Sequence, residues 1–378
     1  MSAWNKVSID ILIHAPSSAS GSLIRLLDSL KKADFFSSPP PRLIIELPHE
    51  VEEPTRRYLE HFRWPPNSLH NAGSLLTLHH RIPQHGLTAE ENSIRFLEAF
   101  WPADPTTSHL LVLSPQVELS PQFFHYLKYT MLEYKYSANK VDTQRNLLGI
   151  SLDLPSTHLN DSATFRPPVG NDMTLFLWQA PNSNAALYFG DKWAELHDFV
   201  GQILASQRIL PTPTTLNEKL VSKAYPYWLE HILSLSRARG YWTLYPNFEN
   251  KDALATLHNE LYQYPQEYTE DAVTDIGLDF TADLALYLQK HAEAPILTKS
   301  LLNMLPNNGN LPLIADMPLL LWDGQRIEHS EIGNYAVDFS RIFRHEIGGC
   351  EVSAIEKTRV ELAAGDLFCL ADAPDRAD

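Results

Sequence analysis

The sequence predicts an α/β protein, a doubly wound sheet flanked by helices, and three observations carry that prediction. The first 50 residues alternate strand, helix and strand, the order that parallel sheets require. A strand, a polar loop and a capped helix recur from His109 to Tyr136. The composition, 44% hydrophobic and 20% charged over 378 residues, is that of a chain able to bury a large core.

Val7 to Ala15 is a buried strand closed by Pro16 and the small residues Ser17 to Gly21. Ser22 to Ala33 places Leu23, Leu26, Leu27 and Leu30 on one helical face, and Pro39 to Pro41 ends the unit before the strand Arg42 to Leu47. Pro54 to Phe62 is then expected as a helix and Ser74 to His80 as a strand. Thr88 to Trp101 is expected as an amphipathic helix whose core face carries Ile94, Leu97 and Trp101, with Phe96 and Phe100 beside them. His109 to Leu113 is a short strand, Ser114 to Ser120 a polar loop, and Pro121 to Tyr136 a helix with Ser120 as its cap. Leu147 to Leu152, Leu175 to Trp178, Ala185 to Phe189 and Tyr241 to Tyr245 read as strands, and Lys192 to Leu204 and Leu216 to Arg239 as helices. Periodicity weakens beyond Asn250: Glu267 to Leu301 suggests a helix or two, and Pro306 to Leu321 is rich in turns. Residues 1–250 are therefore expected to form the main domain, and 251–378 an extension packed on it.

A net charge of −16 with scattered Lys and Arg argues against a nucleic-acid partner, while leaving room for a small anionic ligand held by local groups. No apolar run is long enough for a membrane span and Met1 to Asn5 resembles no signal peptide, so the chain as given is expected to be soluble. Cys350 and Cys369 either pair across the tail or remain as core thiols. Asn160-Asp161-Ser162 is a lone glycosylation sequon. The 16 histidines form no metal-binding motif, His79 and His80 pointing to opposite sides of a strand, and Gly348-Gly349 lacks the lysine of a phosphate loop.

Chemistry is expected at the carboxyl ends of the strands, where open α/β sheets bind ligands. At the end of the strand His109 to Leu113 the sequence reads Ser114-Pro115-Gln116-Val117-Glu118. Gln116 and Glu118 alternate, so they either face one ligand or coat the loop ahead of a helix. The stretch Leu111 to Tyr126 resembles the strand, D-x-D loop and helix of GT-A glycosyltransferases. Ala89 to Pro102, Trp178 to Phe189 with Trp193, and Arg239 to Asn247 resemble, in the same order, a family 2-like group of fungal and plant proteins. The likeness covers about two thirds of the chain, with a Q-x-E where a D-x-D would stand and Asn182 to Asn184 where the group tends to have Cys-Ser-Trp.

That resemblance implies a GT-A, Rossmann-like mixed sheet and the transfer of a sugar from a nucleoside diphosphate sugar, such as a UDP- or GDP-sugar, to a hydroxyl of a glycan, protein or lipid. Membrane association would come only through an anchor outside this sequence, and a Golgi or ER lumen setting would follow if the chain is a shortened form. Donor contacts are expected from Ala15, Pro16, Ser17, Glu46, Gln116 and Glu118, where Glu46 is either a ribose partner or a strand-end surface acid. Acceptor contacts are expected from Trp178, Gln179 and Ser183. A divalent cation, Mn²⁺ or Mg²⁺, would be held by Glu118 and Gln116, with His258 either a third ligand or a structural histidine. The general base is sought among Glu230, Glu195 and Asp198, while Asp191 reads as a helix cap. Glu195 and Asp198, three apart on one helical face, fit either a solvated edge or a cleft wall. The aromatic stretches Tyr225 to Trp228 and Gly240 to Tyr245 either floor a sugar site or belong to the core. The alternative to an enzyme is a GT-A scaffold that has lost catalysis and acts as a binding or assembly partner.

Overall fold

The computed structural model describes residues 6–35, 38–66, 74–81, 91, 94–137, 145–160, 163–169, 174–209, 220–248, 253–259, 265, 267–268, 295–297, 301–303, 305, 309–350 and 364–369. The strands are β1 (Ser8–His14), β2 (Arg42–Leu47), β3 (Leu76–His80), β4 (Ser108–Leu113), β5 (Val117–Leu119), β6 (Leu147–Ser151), β7 (Leu175–Trp178), β8 (Ala185–Tyr188), β9 (Trp242–Pro246), β10 (Ala255–Leu257), β11 (Leu319–Leu320) and β12 (Arg326–Ile327). The helices are α1 (Ser20–Lys31), α2 (Glu53–His61), α3 (Phe123–Tyr134), α4 (Gly190–Ile209), α5 (Trp228–Arg239) and α6 (Ile332–Glu346).

Ten strands form one mixed sheet in the order β12-β11-β7-β9-β6-β8-β4-β1-β2-β3, and β5 pairs with β10 in a separate two-stranded sheet. The run β4-β1-β2-β3 is parallel throughout, and β8 reverses direction between β4 and β6. The strands are apolar on both faces because both are covered. Odd positions of β1 (Ile9, Ile11, Ile13) pack with Leu23, Leu26, Leu27 and Leu30 of α1 and with Phe123, Leu127 and Met131 of α3. Leu12 and Ile44 face the opposite layer, which holds Trp193, Leu196 and Phe199 of α4, Leu229 and Ile232 of α5, and Phe339 and Phe343 of α6. Each of the four α1 leucines is nearly or fully buried, worth about 1.5–3 kcal/mol apiece. The α/β expectation is met as a three-layer arrangement with a mixed sheet.

The end of α5 shows how local sequence fixes this packing. Gly240 has φ +67°, the left-handed turn that ends the helix, and a side chain there would meet Ile332 of α6. Arg237, in the last turn of α5, lies 4.1 Å over the Phe339 ring, and Ser340 Oγ donates to the Ala238 carbonyl.

Several local expectations are corrected. The periodic segment ending at Trp101 does not run as one helix: Leu97–Ala99 is a 3₁₀ turn, Phe100 is extended and Trp101 is 58% exposed. Ile94, Phe96, Leu97 and Phe100 do reach the core. Most of Thr88 to Ser93 lies outside the described residues. The helix expected from Leu216 begins only at Trp228, after turns at 220–227. Ser120 is not the cap of α3; Gln122 is, and Ser120 Oγ instead accepts from the Gln122 amide and donates to the Leu297 carbonyl. The polar loop 114–120 contains a strand, β5. Glu267 to Leu301 lies almost wholly outside the described residues. Cys350 and Cys369 are joined in a disulfide, and no described helix is long and apolar enough to cross a membrane.

Candidate functional site

β4 lies on the other side of β1 from β2, so the strand order reverses at β1, and the carboxyl ends of β1 and β4 are where an open α/β sheet has its crevice. Ala15 to Ser17 leave β1 at this edge, Glu46 and Leu47 end β2, Ser114 to Glu118 leave β4, and Asp153 follows β6. Between α1 and α2 lies a shallow open cleft lined among others by Ala15, Pro16, Ser17, Ser20, Glu52 and Thr55. Ser20 Oγ meets both the Glu52 carboxylate and Thr55 Oγ1. Ser18 adopts φ +67° at the turn into α1.

On the opposite face of the same edge, Glu46, His14 and Arg81 form a relay. His14 Nδ1 lies 3.1 Å from Glu46 Oε2, and His14 Nε2 lies 2.7 Å from Arg81 Nη1. Burial, and then the Arg81 charge, hold His14 below the ordinary imidazole range. A neutral ring satisfies both contacts if Nδ1–H donates to Glu46 and Nε2 accepts from Arg81. Arg81 also donates to the Ala15 carbonyl at 2.6 Å, and the Phe96 ring packs edge-on against His14. Glu46 is 7% exposed, so of its two sequence readings the surface acid is excluded. Sequence reasoning missed His14 and Arg81, although a lone imidazole ending an apolar strand, and an arginine just after β3, are both departures from the core pattern.

The second cluster is built by β5 and β10. Glu118 stands opposite Thr256 in that pair, and one residue beyond β10 the His258 amide donates to the Gln116 carbonyl at 3.0 Å. Glu118 Oε2 lies 2.8 Å from His258 Nε2. The strand pairing thus joins two of the three residues expected around a cation, across 140 positions of sequence. Gln116 is buried. Among the described residues no group of three His, Cys, Asp or Glu side chains converges as a metal site. One carboxylate and one imidazole, bonded to each other, fall short of the oxygen-rich shell that Mn²⁺ or Mg²⁺ takes, so the residues present do not fit a cation held by the protein alone.

Other candidates are placed elsewhere. Gly190, where α4 starts, donates from its amide to His109 Nδ1, and a side chain there would strike the Ser108 carbonyl, so α4 begins at the amino end of β4. Glu195, early in α4, accepts from Arg239 Nε at 2.9 Å and from the Tyr241 hydroxyl at 2.7 Å. It is therefore at the edge opposite the crevice, in an ion pair with a buried guanidinium, and not a base beside the donor. Asp198 is exposed on the same helix. Asp191 pairs with Lys135 Nζ at 2.8 Å. Glu230 is at the crevice end of α5 but buried, its oxygens accepting from the amides of Leu220 and Val221, which makes it an anchor for that turn. Trp178 is fully buried, stacked 4.0 Å from Phe165 with its indole N–H given to the Leu321 carbonyl. Gln179 is buried and donates to the Ser236 carbonyl. Neither can floor an acceptor site. Ser183 is buried too, but its neighbour Asn184 accepts from the Ser114 amide at 2.7 Å, which places this turn against the loop after β4.

Sequence reasoning also missed Asp153. It sits buried beyond the end of β6, where Asn182 Nδ2 donates to its carboxylate and to Ser151 Oγ. Burial pushes its pKa up to about 7 despite these donors. An acid two residues beyond the largely apolar strand β6 is the signal that could have found it.

No curated protein matches the chain. Among solved structures, the crystal structure of S. aureus TarS 1–349 shares 11% identity, with a TM-score of 0.36, over 92% of this chain and 83% of that one. The apo-form glycosyltransferase GlyE of Streptococcus pneumoniae TIGR4 shares 11%, with a TM-score of 0.30, over 77% and 66%. Likeness at that level says nothing about the chemistry of this chain. A family model described as the SPBC1E8.03c C-terminal domain matches residues 21–209, half of the 378 residues, and the chain belongs to that family.

Proposed function

We propose that the protein is a glycosyltransferase that binds a nucleoside diphosphate sugar at the carboxyl edge of β1, β2 and β4 and passes the sugar to a hydroxyl acceptor. The observation that carries this reading is the meeting of Glu118 and His258 on the loop after β4, on the same edge as the cleft at Ala15 to Ser20. In this reading the nucleoside lies along the ends of β1 and β2, over the Glu46–His14–Arg81 relay, and the diphosphate reaches the Glu118–His258 pair. The His258 ring offers a hydrogen-bond donor to oxygens on which charge grows as the glycosidic bond breaks, and Glu118 holds that ring in place.

Calorimetric titration with a panel of UDP- and GDP-sugars, with and without Mn²⁺, tests the reading. Binding that falls on Glu118→Ala supports it; no heat with any of the sugars removes it. The second reading, a scaffold that binds without transferring, is favoured by a specific observation: Glu195, Asp198 and Glu230 do not stand free at this edge. Donor hydrolysis above background decides for the enzyme, and binding without turnover against any hydroxyl acceptor decides for the scaffold.

A further inference from the structure

Asn182 is committed at every polar group. Its amide donates to the Tyr188 hydroxyl at 3.1 Å, and that hydroxyl donates to the Asn182 carbonyl at 2.5 Å. Its side-chain Nδ2 donates to Ser151 Oγ at 2.8 Å and to Asp153 Oδ1. Its Oδ1 accepts from the Asn184 amide at 2.7 Å. Beyond Asn184 the path continues: the Asn184 carbonyl accepts from the Ser114 amide at 2.7 Å, and the Ser114 carbonyl accepts from the Val117 amide at 3.1 Å. Glu118 follows directly. Asp153, Asn182, Tyr188 and Ser151 are all buried, so a group that loses its partner here stays unsatisfied instead of turning to water.

We propose that Asp153 is a positioning residue: through Asn182 and Asn184 it fixes the loop that begins at Ser114, and with it the placement of Glu118 against His258. The acceptor on Asp153 and the hydroxyl of Ser151 together hold the Asn182 amide in one orientation, leaving Oδ1 to face Asn184. Among the described residues the titratable groups facing Asp153 are the Tyr188 and Tyr245 hydroxyls, both buried and both held uncharged by burial, so none of them takes over this role. The consequence for donor binding rests on the function proposed above; the path of hydrogen bonds does not.

Hydrogen exchange of the unliganded protein tests it. With Asp153→Ala, amides in 114–119 should exchange at least tenfold faster while those of β1 keep their protection. Asn182→Ala should reproduce this from the other end of the same contact, which keeps the test open if one variant fails to fold. Asp153→Asn, which retains an oxygen acceptor, should restore slow exchange. Unchanged exchange in 114–119 for the alanine variants overturns the proposal. So does an equal acceleration across the whole sheet, or an Asp153→Asn variant as fast as Asp153→Ala. Because no ligand is present, a wild-type protein that binds no nucleotide sugar would sink the proposed function and leave this result standing.

Discussion

Replacing Asp153 by Asn removes a titrating group from a buried polar site, and the effect on stability follows in sign and size. The carboxyl has an ordinary pKa of 3.8, which burial raises to about 7 in the folded chain. Between those values the folded state holds a proton that the unfolded state has released, so this group's contribution to stability is greatest below about pH 4 and is lost as pH rises towards about 7. Above that both states are ionised and the curve flattens. Three pH units at about 1.4 kcal/mol each give a loss on the order of 4 kcal/mol. Asn carries no such term, so the stability of Asp153→Asn relative to wild type should climb by that amount across this window. With an unfolding entropy of about 0.8 kcal/mol/K for a chain of this length, the thermal midpoints should diverge by roughly 5 °C. Scanning calorimetry of both proteins from about pH 4 to about pH 8 measures the difference, and any constant offset from the substitution cancels. A gap between midpoints that stays flat across the window would mean that Asp153 ionises as it does in water, and that burial does not govern it.

Three further outcomes are expected. Glu195→Ala should leave donor titrations unchanged while lowering stability by about 2–3 kcal/mol, because Arg239 and the Tyr241 hydroxyl lose their carboxylate; thermal melts alongside calorimetric titration separate the two effects. Reducing the Cys350–Cys369 bond, which closes a loop of 19 residues, should cost about 3 kcal/mol and speed hydrogen exchange in 364–369, measured with and without reductant. Trp178→Ala should cost about 3–5 kcal/mol as a core cavity and lower the denaturation midpoint, whereas a variant of an acceptor-site tryptophan would lose activity at unchanged stability.

Strands that carry continuous apolar runs, β1, β2, β4 and β6, are legible because burial on both faces writes itself directly into sequence. β5 is not. Val117-Glu118-Leu119 follows a proline and a glutamine and has no strand signal beyond three residues; it exists because residues 255–257 arrive to pair with it. The same pairing places His258, so that placement too is a non-local fact. Glu195 and Asp198 fail for a different reason. Their spacing on a helix is plain, but the edge on which they stand depends on β8 running against β4 and β6, and alternation of strand and helix does not encode strand direction. The segment ending at Trp101 has helical spacing yet closes in a 3₁₀ turn, where Phe96 and Phe100 reach the core and Trp101 does not.

The distribution of buried polar groups bears on where the chemistry is. Most of the sheet is lined by aliphatic and aromatic side chains, but its carboxyl edge buries Glu46, Gln116, Asp153, Asn182 and Ser183. Placing a carboxyl such as Asp153 in a dry environment opposes folding, and an apolar residue of similar volume would avoid the cost. Glu195 and Arg239, at the other edge, pair with each other, and Glu195 also accepts from the Tyr241 hydroxyl, a contact confined to the ends of α4 and α5. At the carboxyl edge the contacts do not close on themselves in that way: one path leads from Asp153 to the loop of Glu118, and the other from Glu46 through His14 to Arg81 and the Ala15 carbonyl beside the cleft. Both paths end on backbone at the carboxyl edge: one on the loop after β4, the other on Ala15, which lines the cleft. That arrangement fixes backbone from behind, as the proposed donor site would require in order to hold a charged ligand in one pose.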